Sequence, residues 1–93
     1  MKRQLIRSSA FIRAAKKFVK KHPELVQELQ TTLELLSENA FDSQLRTHKL
    51  YGEFKGSWAC SLSYALRIMF KFVDHEGAEA ILLETVGTHE EVY

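Results

Sequence analysis

Four histidines, His22, His48, His75 and His89, are spread over a chain of 93 residues. Imidazole titrates near neutral pH, so each of them is able to take or give a proton in a reaction. His89 stands in the closing stretch Gly87-Thr88-His89-Glu90-Glu91-Val92-Tyr93, four residues before Tyr93. An i,i+4 spacing puts two side chains on one helical face, and both of these do proton chemistry. His48, in THKLYG, is either an ordinary polar strand residue or a proton donor or acceptor. Arg67, in LRIMFKF, carries a guanidinium fork that can hold a phosphate by two bonds and offset charge growing in a transition state. The commoner reading of such an arginine is a solvated side chain on a half-exposed strand. Tyr51 and Tyr64 are able to stack on bases, although strands favour tyrosine in any case.

Other chemistries find little support. The histidines show no paired-ligand spacing and there is no C-x-x-C or H-E-x-x-H, so no metal is expected. Gly52, Gly56, Gly77 and Gly87 form no phosphate-binding fingerprint, and no other cofactor is implied. Cys60, the one cysteine, sits mid-strand among apolar neighbours and reads as a buried structural thiol. A lone cysteine fits a reducing compartment. No run approaches the ~18 apolar residues of a membrane span, and the basic N-terminus lacks a signal-peptide core. The expectation is a cytoplasmic protein without membrane contact.

The residues that could do chemistry need a frame. Ninety-three residues, 45% hydrophobic and 11% aromatic, suffice for one domain with one core, here taken as residues 1–93. Gln4-Leu5-Ile6-Arg7 suits an opening strand, and Ser8 or Ser9 a helix N-cap. Phe11, Ala14, Ala15, Phe18 and Val19 recur at helical spacing. His22-Pro23 breaks that helix, and Pro23 suits the first turn of a second. Leu25, Val26, Leu29, Leu33 and Leu36 form the second stripe, which Asn39 ends. From Trp58 onward the period becomes two, with turns at Gly52, Gly56-Ser57 and Asp74-His75-Glu76-Gly77. Short links imply antiparallel hairpins. The expected fold is α+β, in the order β-α-α-β-β-β-β: an N-terminal helical hairpin packed on one face of a twisted antiparallel sheet. On its strand, Arg67 alternates with Leu66 and Ile68, so Arg67, Met69 and Lys71 should line the sheet's open face.

The net charge of +1 hides an asymmetry. Residues 1–22 hold eight of the 13 basic residues and no acid, whereas all 12 acids follow Pro23. Arg13, Lys16, Lys17, Lys20 and Lys21 lie on the first helix. They form either a solvated face or a phosphate-binding one.

With these pieces in order, the chain resembles the RelE/ParE toxin superfamily, and within it the YafQ-like branch. The resemblance rests on His48-Lys49-Leu50-Tyr51-Gly52, on Trp58-Ala59-Cys60-Ser61-Leu62, on Leu66-Arg67-Ile68-Met69-Phe70 and on the closing Gly87-Thr88-His89 with Tyr93. It spans essentially the whole chain. It implies a RelE-like, microbial-ribonuclease-like fold and the toxin of a type II toxin–antitoxin system. The implied activity is that of an mRNA interferase: a metal-independent, ribosome-dependent endonuclease that cuts by 2′-OH attack to a 2′,3′-cyclic phosphate. The implied partners are a cognate antitoxin protein, the ribosome and mRNA.

Carried over by position, the resemblance implies that His48, Arg67, His89 and Tyr93 would be the catalytic residues. His48 would act as base and His89 as acid, with the roles exchangeable. Arg67 would clamp the phosphorane, and Tyr93 would stack on a base or order the scissile nucleotide. Lys49, Ser61 and Lys71 would bind substrate, and Arg13, Lys16, Lys17, Lys20 and Lys21 ribosomal RNA. The YafQ-like pattern has a histidine and an aspartate where this chain has Ser61 and Ala65, which shifts the burden onto His48, His89 and Arg67. The alternatives are a ParE-like gyrase inhibitor and a catalytically decayed binding module on the same fold.

Overall fold

In a computed structural model the structure describes residues 2–89. Strand β1 spans Leu5–Arg7, helix α1 Ser9–Lys21, a 3₁₀ turn Pro23–Leu25 and helix α2 Val26–Glu38. Strands β2 (His48–Lys49), β3 (Trp58–Ser63), β4 (Leu66–His75) and β5 (Ala78–Gly87) follow. The order of elements is the one expected from the sequence.

Local chemistry sets the helix ends. Ser8 is the N-cap of α1, its Oγ accepting from the Phe11 amide over 3.0 Å. Ser8→Ala should cost about 1 kcal/mol of stability, read as a shift of the urea midpoint at unchanged slope. His22 closes α1, Pro23 opens the 3₁₀ turn, and Asn39 ends α2.

The five strands lie in the order β1-β5-β4-β3-β2. The pairs β2–β3, β3–β4 and β4–β5 are antiparallel, but β1 runs parallel to β5. The sheet is therefore mixed, not antiparallel. Short links dictate direction only between successive strands. The spatial neighbour of β1 is the last strand, and its direction follows from leading straight into α1, which packs back onto β5. Ile81 donates to the Gln4 carbonyl and Ser8 to that of Leu83, which closes the parallel pair.

One core holds the layers together. Phe11 and Phe18 from α1 and Leu29 and Leu36 from α2 meet Cys60, Leu66, Ile68, Phe70, Ile81 and Leu83 from the sheet. Burial pushes the Cys60 thiol up to about 12, so it is neutral and inert, a filler of this core. The β4–β5 hairpin turns through Glu76 (φ 54°) and Gly77 (φ 80°). Two successive positive φ angles are the requirement of a type I′ turn, which a glycine meets without strain. None of the helices among the described residues is long and apolar enough to cross a membrane.

Candidate active site

Two irregularities in the sheet build the site. Phe70 pairs with Leu83, yet Met69 pairs with Thr85, so Glu84 is an extra residue in β5. Without this bulge Val86 would swing to the open face. With it Val86 stays in the core and Gly87 comes opposite Arg67. Gly87 has no side chain to stand over Arg67, and His89 is two residues further on. The second bulge lies between Cys60 and Ser63 and leaves two residues, Ser61 and Leu62, across from the single Arg67.

Arg67 is not the solvated or half-exposed strand residue suggested by its pattern. It is 6% exposed, although it belongs to the face away from the helices. The His89 ring covers it: Arg67 Nη2 lies 2.8 Å from His89 Nδ1 and also within hydrogen-bond reach of Nε2. A guanidinium only donates, so the ring nitrogen that accepts from it carries no hydrogen. Alternation of apolar and polar residues shows which face a side chain takes. It cannot show that a later segment folds over it.

Tyr64 completes the cluster. It stands at the tip of the two-residue β3–β4 turn, 79% exposed, with its ring centroid 4.7 Å from that of His89. Ser63 holds the turn in place: its Oγ accepts from the Ala65 amide over 3.1 Å and donates to Glu28 Oε2 of α2 over 2.7 Å. The sequence marks Tyr64 only as one of two tyrosines able to stack. The two-residue gap between the β3 and β4 runs is the signal that places it at a turn tip beside Arg67.

His48 pairs with Ala59, and Ala59 with Met69, so all three share the open face with Arg67. His48 Nδ1 lies 2.9 Å from the Arg46 carbonyl. A carbonyl only accepts, so Nδ1 carries the hydrogen in this contact. Arg46 itself adopts a left-handed conformation (φ 52°) that aims this carbonyl.

Burial first, then the Arg67 guanidinium and His48, hold the His89 imidazole below its ordinary value of 6.5. His89 is thus neutral at pH 7 and able to accept a proton. Burial likewise lowers Arg67, against which Tyr64 acts in the opposite sense. A depressed histidine means that the folded state binds fewer protons than the unfolded chain. The stability it confers is therefore full above about pH 6.5 and is lost as pH falls through the lower folded value. An NMR titration of the His89 ring should give a midpoint below 6.5, and Arg67→Ala should raise it. A midpoint unmoved by that change would contradict the pairing.

The remaining expected residues are dispersed. Lys49 pairs with Trp58 on the opposite face and sets its ammonium 5.4 Å from that ring's centroid. Lys71 is on the open face but lies 3.6 Å from Glu84 Oε2. Arg13, Lys16, Lys17, Lys20 and Lys21 are exposed along α1. Lys17 lines a cavity of about 320 Å³ with Ala14, Phe18, Thr85 and Val86, close to the end of β5 that carries His89. Tyr93 lies outside the described residues. A cavity of about 540 Å³ between Lys2, Arg3, Glu38, Asn39, Ala78 and Glu79 is at the other end of β5 from His89. Among the described residues no group of three His, Cys, Asp or Glu side chains is placed to hold a metal ion.

Comparison with known proteins bears on this arrangement. The sequence profile of the family described as bacterial toxin of type II toxin–antitoxin system, YafQ, matches residues 3–93. Curated protein sequences give no match. Among solved structures, YafQ from E. coli strain BL21(DE3) superposes with a TM-score of 0.78 at 19% identity, over 98% of each chain. YafQ in the E. coli DinJ–YafQ toxin–antitoxin complex gives 0.76 at 20% identity, over 100% of this chain and 99% of that one. A YoeB/ParE toxin from Agrobacterium tumefaciens gives 0.73 at 10% identity, over 92% of this chain and 98% of that one. At these identities the structural likeness is one of fold.

Proposed function

The chain belongs to the YafQ family of bacterial toxins of type II toxin–antitoxin systems, and on that premise we propose that it is a metal-independent endoribonuclease that cuts mRNA on the ribosome. The observation that supports this most is the cluster of Arg67, His89 and Tyr64, with His48 on the same face. Cleavage of RNA without metal needs a base for the 2′-OH proton, an acid for the leaving 5′-oxygen and a cation for the charged phosphorane. Neutral His89 suits the base. His48, held through Nδ1, serves as the acid in its imidazolium form and gives its Nε2 proton to the leaving 5′-oxygen, so the two histidines take the reverse of the order first expected. Arg67 donates to the phosphorane oxygens when substrate replaces its contact with His89. Ser61, across from Arg67, holds a further phosphate oxygen, and Tyr64 stacks on a base beside the cut, a role shared with Tyr93.

In this reading residues 1–93 form one toxin domain, and α1 and α2 act as a helical hairpin. Its basic first helix meets ribosomal RNA through phosphate contacts that weaken with salt. The restraining partner is an antitoxin, as DinJ is for YafQ in the E. coli complex. The test is to express the wild type and His89→Ala in a translating extract and map the 5′ ends of cut messages. Cuts made by the wild type and lost in the variant support the endonuclease. An extract that translates but shows no cut by the wild type overturns it.

A further inference from the structure

The open face carries a second polar cluster that the cleavage chemistry leaves unused. Ser57 Oγ donates to Glu84 Oε1 over 2.7 Å, and Lys71 Nζ lies 3.6 Å from Oε2. Ser57 is buried, and the Glu84 side chain keeps 23% of its surface exposed. Glu84 is the extra residue of the β5 bulge, the same irregularity that brings Gly87 opposite Arg67. Lys71 lies four residues from Arg67 along β4, about 13 Å at strand rise. Met69 and Thr85, paired and half-buried, fill the face between them.

A carboxylate on a face that receives RNA repels phosphate, so its natural contact there is a base. A carboxylate has about four lone-pair positions. Ser57 engages one oxygen of Glu84 and Lys71 the other, which leaves acceptor capacity on each oxygen, side by side. Guanine presents two adjacent donors, N1–H and N2–H, on its pairing edge. Adenine and cytosine set one donor beside one acceptor, and uracil one donor between two acceptors. Only guanine matches a pair of acceptors.

We propose that Glu84 reads a guanine in a nucleotide flanking the cut, with Ser57 orienting the carboxylate and Lys71 balancing its charge. This assigns Lys71 to the base reader rather than to the phosphate clamp. The proposal rests on the endoribonuclease reading of the same face. It follows that Glu84→Gln, which offers one donor and one acceptor, should move the preference to adenine or cytosine.

Two measurements test it. First, messages with a randomised stretch are cut in a translating extract and the ends sequenced. The wild type should enrich guanine at one flanking position, and Glu84→Gln should lower that enrichment by about tenfold. No guanine enrichment in the wild type, or the same enrichment in the variant, would overturn the assignment. Second, 5′-GMP and 5′-AMP are titrated into the protein and followed by NMR. GMP should shift the amides of Ser57, Lys71 and Glu84, AMP should not, and Glu84→Gln should abolish the response. Amides that GMP leaves unmoved would overturn the base site whatever the cleavage result. Shifts with GMP but no cut message would support the base site while sinking the nuclease.

Discussion

Arg67→Ala should lower the single-turnover rate of RNA cleavage by about 10²–10³-fold, the loss seen when one preorganised donor to a developing oxyanion is removed. Arg67 is suited to so large an effect because it is buried beneath His89 and held near the reacting groups before substrate arrives. In such a site a donor meets growing charge without reorganising, and low local polarity strengthens the bond. Arg67→Lys should recover little, since an ammonium lacks the planar fork and is more costly to desolvate. Substrate affinity separates this role from a structural one. A clamp on the transition state lowers the rate more than it weakens binding. An unchanged cleavage rate in Arg67→Ala would remove Arg67 from the chemistry.

Phe70→Ala should be the most damaging change to the fold, at about 3–5 kcal/mol. Phe70 is fully buried in the middle of β4, paired with Trp58 on one side and Leu83 on the other. Its ring also meets Phe72 edge-on, with centroids 5.4 Å apart. Truncation leaves a cavity in the core that both helices and three strands build, and close-packed neighbours relax into it only in part. A domain of this length loses about 4–8 °C of melting temperature per kcal/mol. The variant should therefore melt upwards of about 12 °C below the wild type by calorimetry. Tyr64→Ala is the control: at 79% exposure it should change stability by no more than about 0.5 kcal/mol. Equal melting temperatures for the two variants would mean that the core is not where the structure places it.

Much of the frame was legible because it is dictated locally. A cap at Ser8 or Ser9, the break at His22-Pro23 and the end at Asn39 depend on backbone preferences of single residues, and the structure chose Ser8. The helical and two-residue periods report which side of each element is apolar. The parallel pairing of β1 was not legible, because it joins Leu5–Arg7 to Ile81–Leu83 across nearly the whole chain. No turn or spacing spans that distance.

The site divides in the same way. Residue type alone marked His48, Arg67 and His89 as capable of proton transfer and phosphate binding, and strand alternation put Arg67 on the face away from the helices. The meeting of His89 with Arg67 depends on a single extra residue, Glu84. An inserted residue in β5 is invisible in the alternation of a run as apolar as Ala80-Ile81-Leu82-Leu83, yet it decides which of Val86 and Gly87 faces Arg67. Tyr64 and Glu84 gain their positions from a turn and a bulge, so their types gave no warning of them. What the sequence determined by itself was the set of elements and the chemical capacity of single side chains, since both follow from local conformation and functional groups. What only the tertiary structure decided was register, burial and contact, above all that His89 closes over Arg67, because these depend on long-range packing that no local pattern encodes.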